Sequence, residues 1–135
     1  MTTIEPVGTV SPAAELLGRR HPHPDGDAGR VRIAFSGSES FRNRAGTVHG
    51  GLLAAMLDEV ITATIVAATG GTSLAITIAI NVQILCPAPV GPLVGEGTIT
   101  LMGRNISFAE AKLLVAESPV ARATGCCRLV PIEHA

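Results

Sequence analysis

Between Gly50 and Thr69 the chain reads GGLLAAMLDEVITATIVAAT, and almost every residue after the glycine pair is apolar or small. No proline interrupts the run, and Gly70-Gly71 follows as a stop, so one long helix is expected, beginning near His49 or Gly50. A helix that is apolar almost all round must be buried on more than one side. The fold is therefore restricted to one in which a sheet wraps the helix. Inside the run stand two carboxylates, Asp58 and Glu59. The helical neighbours of Asp58 are Ala54, Ala55, Ile61 and Thr62, and none is a cation. An ionised carboxylate there needs hydrogen bonds, water, an arginine from a strand or a partner subunit, or a functional reason to be strained. Glu59 lies about 100° further round and can reach an edge.

Composition excludes several alternatives. The acids stand inside the most apolar segment, and each would cost about 2.5–3.5 kcal/mol near a bilayer centre, so no membrane span is expected. Net charge is −1, there is no Tyr or Trp, and Phe occurs three times, which gives nucleic acid neither a basic patch nor a stacking platform. Cys86, Cys126 and Cys127 are odd in number and include an adjacent pair, a poor disulfide framework. They also make no zinc site, because neighbours on a strand point to opposite faces. The first twenty residues have no early positive charge and no apolar core of signal-peptide type. A cytoplasmic protein is the expectation.

The 135 residues suffice for one domain with one core. Residues 1–27 form an N-terminal segment, partly flexible, with a possible short helix over Ala13 to Arg20. The turn-rich HPHPDGDAGR follows that helix. The domain proper is expected over 28–135. VRIAFSG (Val31 to Gly37) is a strand, and after the helix SLAITIAINVQIL (Ser73 to Leu85) alternates with period two, its even positions branched and apolar. Three more strands are expected over Leu93 to Met102, Ile106 to Ala116 and Val120 to Pro131. Gly103-Arg104-Asn105 and Glu117-Ser118-Pro119 are the turns between them. The connections are too short for parallel crossovers, so the four strands after the helix should form an antiparallel meander.

The helix opens with His49-Gly50-Gly51. A helix start presents free N–H groups at the positive end of its dipole, and glycine lets a ligand approach the backbone. Such a donor suits a carbonyl oxygen that gains negative charge. Asp58 lies eight residues on, roughly 12 Å of rise, too far for both groups of one chain to grip one reacting atom. A symmetric dimer would bring the helix start of one subunit to Asp58 of the other.

NRAGTVHGGLLAAMLDEV, from Asn43 to Val60, resembles the signature of hotdog-fold acyl-CoA thioesterases of the phenylacetate-pathway (PaaI-like) type. The likeness runs on through INVQILCPAPVGPLVGEGTI and LMGRNISFAEAKL to the last strand, roughly residues 28 to 131. It implies an α+β hotdog fold, with a long central helix wrapped by an antiparallel sheet of about five to six strands. The implied activity is hydrolysis of an acyl- or aryl-CoA thioester, with no metal and no cofactor, coenzyme A being part of the substrate. A homodimer or dimer of dimers with the site between subunits is implied too.

By that resemblance Asp58 is the catalytic carboxylate, either base or nucleophile, and the Gly50 N–H polarises the thioester carbonyl. Asn43 helps to place water or substrate, and His49 bonds the thioester region or shapes the turn. Thr77 positions water. Gly51, Thr62 and Arg104 are expected to contact the substrate. Each has a structural alternative: Asn43 could hold its loop, His49 could cap the helix, Thr77 and Thr62 could pack, and Arg104 could be an exposed turn residue. Arg42 and Arg44 rival Arg104 for the coenzyme A phosphates. Cys126 and Cys127 are expected to pack, and His21 and His23 show no metal-ligand pattern. An acyl-CoA-binding hotdog protein without turnover is the alternative function.

Overall fold

A computed structural model describes residues 8–21, 23–27 and 29–133. The long helix, α2, spans Gly50–Ala68, and a short helix α1 covers Pro12–Leu16. Six strands follow the order β1 (Asp25–Asp27), β2 (Arg30–Ser36), β3 (Ser73–Ile84), β4 (Pro92–Leu101), β5 (Ile106–Val115) and β6 (Ser118–Pro131). They form one antiparallel sheet with spatial order β1-β2-β4-β5-β6-β3. This is the hotdog arrangement, and β2 to β6 all pack on α2.

Three local expectations are corrected. β3 does not continue a meander into β4; it lies beyond β6 at the sheet edge, and 85–91 carries the chain back across. The β5–β6 turn is Ala116-Glu117, both at positive φ (49° and 66°), and Pro119 lies inside β6 opposite Leu114, where the register shifts. A proline is tolerated at such an irregularity because the ladder there is already broken. Asp25–Asp27, read as loop, pairs with Arg30–Arg32.

Sheet and helix meet closely. Gly95 and Gly97 of β4 face Val60 and Thr64, and a methyl group on Gly97 would lie 2.0 Å from Thr64 Oγ1. Register shifts that leave one extra residue in each of β3, β4 and β6 help the sheet to curve around the helix. Within one chain α2 is buried along one side only, by Leu53, Met56, Leu57, Val60, Ile61, Thr64 and Ile65. The flank bearing Ala55, Asp58, Glu59, Thr62 and Val66 is half-buried, against the expectation of burial on several sides. By length and composition α2 could also cross a bilayer, but here it is the core helix.

Candidate active site

The site residues fall into two groups on α2. The first is Asp58 with Thr77. Thr77 Oγ1 donates to Asp58 Oδ1 at 2.6 Å, so among the described residues the partner of the carboxylate is a hydroxyl of β3 and not a cation. A bulge aims that hydroxyl. Thr77 pairs with Cys127 and Ala79 with Cys126, which leaves Ile78 unpaired. The extra residue flips the alternation, so that Ala75, Ile80 and Val82 all pack toward the core. The unbroken period of two read along this strand is therefore wrong in phase beyond Ile78. With strict alternation, the face that carries Ile80 and Val82 would have turned Thr77 away.

Cys127, expected only to pack, is fully buried beside this pair. Burial pushes its thiol up from its ordinary value, a bond to Thr77 works in the opposite sense, and the Asp58 charge pushes it up again. Its cross-strand position opposite Thr77 follows from register, which no local pattern reveals.

The second group lies at the helix start. Asn43 Oδ1 accepts from Ala45 N (3.0 Å), Thr47 N (3.1 Å) and Thr47 Oγ1 (3.3 Å), and Asn43 N donates to Thr47 O. The carbonyl of Asn43 thus holds the loop, while its amide N–H groups have no partner among the described residues. His49 is the N-cap: its Nδ1 accepts the Gly51 N–H at 3.0 Å. An accepting Nδ1 means a neutral ring with its proton on Nε2, so His49 presents an outward donor. A side chain on Gly51 would meet the ring at 3.2 Å, which is why glycine suits that position. The Gly51 N–H is thereby occupied, whereas the Gly50 N–H, at the first helical residue, has no acceptor among the described residues.

Eight residues of helix, about 12 Å, separate Gly50 from Asp58, so one chain does not bring the two groups together. Thr62 lies one turn beyond Asp58 and donates to Glu59 O. Arg104 stands exposed in the β4–β5 turn, bonded to none of the other candidates. Arg42 pairs with Glu39 at 3.3 Å, and Arg44 is exposed in the same loop. Glu59, read as reaching an edge, instead meets Arg19: Nη1 donates to Oε1 at 2.8 Å, and Arg19 is 8% exposed. Forty residues separate the partners, and only the coincidence of a basic N-terminal pair with an apolar-helix acid hinted at it. Among the described residues no three His, Cys, Asp or Glu side chains converge as a metal site.

Comparisons with known proteins bear on the family and the fold. Residues 45–121 match the model of the Thioesterase superfamily. No curated protein matches the chain. A solved structure of a putative thioesterase, a phenylacetic acid degradation-related protein from Ralstonia eutropha JMP134, is 31% identical. That match has a TM-score of 0.80 and covers 87% of this chain and 90% of that one. A conserved protein from Pseudomonas aeruginosa shares the fold at 20% identity and TM-score 0.81, over 90% and 95% of the two chains. A hypothetical thioesterase from Streptococcus pneumoniae TIGR4, solved with coenzyme A, does so at 17% and 0.73, over 82% and 85%. With a family match over more than half its length and the hotdog architecture to hold it, the chain belongs to the thioesterase superfamily, in its phenylacetate-pathway (PaaI-like) type.

Proposed function

We propose that the protein is an acyl-CoA thioesterase that works as a homodimer, or a dimer of dimers, with each active site shared between two subunits. The observation that carries this reading is the division of one helix into two incomplete halves. Asp58, held by Thr77, is a carboxylate without an oxyanion donor, and Gly50 offers an N–H without a base. A twofold axis would complete both at once. The β3 edge favours such an axis: it is 12 residues long and carries Ile76, Ile78 and Ile84 at 53%, 57% and 46% exposure. Monomeric proteins rarely leave a long apolar edge uncovered.

In this arrangement the thioester carbonyl points at the Gly50 N–H of one subunit, with the outward donors of His49 and Asn43 alongside. Asp58 of the other subunit removes a proton from water as the water oxygen attacks the carbonyl carbon, or attacks that carbon itself to give an anhydride that water then hydrolyses, while Thr77 fixes the carboxylate. The C–S bond breaks, the acid is released, and coenzyme A leaves as its thiolate. A thioester is an activated acyl group, so base, donor and orientation suffice without a metal. The coenzyme A held by the Streptococcus pneumoniae structure supports a coenzyme A ester as substrate. Arg104, Arg42 and Arg44 are the exposed cations for its phosphates.

Purified protein should release thiol from a panel of short, long and aromatic acyl-CoAs. Asp58→Asn should lower kcat about 100-fold or more at unchanged Tm, the size expected for loss of a general base. An Asp58→Asn variant with full activity would overturn the assignment, and tight acyl-CoA binding without thiol release would point to a non-catalytic carrier.

A further inference from the structure

Beside the Asp58–Thr77 pair runs a groove of about 630 Å³, within the usual range for small-molecule sites. Thr62 lines it, one turn beyond Asp58, as does Ala75, two residues before Thr77 in β3. The groove therefore starts one helical turn and two strand residues away from that pair, with neither Asp58 nor Thr77 in its lining, and runs toward the C-terminal end of α2. Its sides are aliphatic: Ala63, Val66 and Ala67 from the helix, Leu74 and Ile76 from the strand. The remaining wall comes from the N-terminal segment, through Thr9, Ser11, Arg19, His23 and Pro24.

That segment is held in place. Ala14 and Leu17 are buried, and Gly18, at φ +92°, lies so close to β2 that a Cβ there would meet Ser36 O at 2.2 Å. Gly18 O accepts from Ser36 N at 3.0 Å, and Arg19 Nε donates to His21 O at 3.0 Å. The Arg19–Glu59 ion pair then ties the segment to α2 on the rim of the groove, with side chains 9% and 21% exposed. Breaking a mostly buried pair by removing one charge strands the other, which favours release of whatever carries it.

We propose that this N-terminal wall, latched by Arg19–Glu59, closes the acyl-binding groove and sets the upper size of the acyl group, so that the substrates are acyl-CoAs with uncharged, chiefly apolar acyl groups of limited length. The inference rests on the thioesterase reading and on the groove lying next to Asp58, between Glu59 and Thr62 of the helix and Ala75 of the strand. Aliphatic walls favour an apolar acyl group. The latch is a neutral pair, so it offers no net charge to recruit a second carboxylate.

The test is a straight-chain acyl-CoA series, from acetyl upward, on the full-length protein and on Glu59→Gln and Ala67→Phe. Each extra methylene a pocket accepts or refuses changes kcat/KM by about tenfold or more. The wild type should show a length ceiling. In Glu59→Gln the ratio of kcat/KM just above the ceiling to that for acetyl-CoA should rise about tenfold, with faster tryptic cleavage after Arg19 or Arg20 reporting release of the segment. In Ala67→Phe, which narrows the groove and leaves the latch intact, the ceiling should move to shorter chains. An active wild type whose length profile is the same in both variants overturns this inference and leaves the thioesterase reading standing. If the wild type hydrolyses no acyl-CoA, that reading fails and takes this one with it.

Discussion

Gly97 is where a single added methyl group should disturb the seating of α2 on the sheet. It faces α2 from β4, and an added Cβ would lie 2.0 Å from Thr64 Oγ1, 3.0 Å from Val60 Cγ1 and 3.2 Å from Thr64 Cβ. Carbon contacts are most favourable at about 3.5–4.0 Å, so in Gly97→Ala either the helix lifts or Thr64 changes rotamer. A rotamer change breaks the 2.6 Å bond from Thr64 Oγ1 to Val60 O inside a residue of zero exposure. Stranding that hydroxyl costs about 1–3 kcal/mol, and overpacking by a helix shift costs about the same. For a chain of this size each kcal/mol lowers Tm by roughly 3–5 °C, so a fall of about 3–15 °C is expected by circular dichroism. Removing the closest obstacle should relieve part of the loss: Gly97→Ala with Thr64→Ala should lose about 1 kcal/mol less than the sum of the single variants. Thr64 and Asp58 share one rigid helix, so lifting it also disturbs the Asp58–Thr77 contact. Acyl-CoA hydrolysis should therefore fall at temperatures where Gly97→Ala is still folded. An unchanged Tm, or strict additivity with Thr64→Ala, would refute the close seating of α2 on β4.

Thr77→Val keeps the shape of the side chain but removes the donor to Asp58. Hydrogen bonds to charged groups are worth about 1.5–3 kcal/mol, so kcat/KM should fall about tenfold or more while Thr77→Ser stays active; equal rates for Val and Ser would deny the hydroxyl a role. His49→Ala removes the N-cap acceptor and should cost about 1 kcal/mol in urea unfolding, whereas His49→Asn, which keeps an acceptor, should recover most of it. If Ala and Asn prove equally stable, the ring does not cap α2. Cys127 predicts a pH dependence. Its folded thiol is pushed above its ordinary value near 9.0 by burial, so the native state keeps the proton after the unfolded chain has lost it. This contribution is complete below about pH 9 and lost as pH rises beyond it. The stability of wild type relative to Cys127→Ala should accordingly decline as pH rises above about 9, and a flat difference there would contradict a buried neutral thiol.

Much of this molecule could be read in one dimension because it depends on neighbours in sequence. The apolar run and Gly70-Gly71 define α2 nearly to the residue, and the period of two locates the strands, since side-chain direction follows from backbone geometry alone. His49-Gly50-Gly51 and the isolated Asp58 likewise mark both halves of the proposed site, because capping and helical spacing are local. What pairs across the sheet was hidden. The bulge at Ile78, the seat of Cys127 opposite Thr77, the place of β3 at the edge and the reach of Arg19 to Glu59 all join residues far apart in the chain. Register and long-range ion pairs are chosen by competition among whole-sheet packings, to which each residue contributes little on its own. The sequence by itself determined a long apolar helix, its capped start and an acid set into it. Only the tertiary structure decided that Thr77 meets the acid, because one unpaired residue turns the strand over.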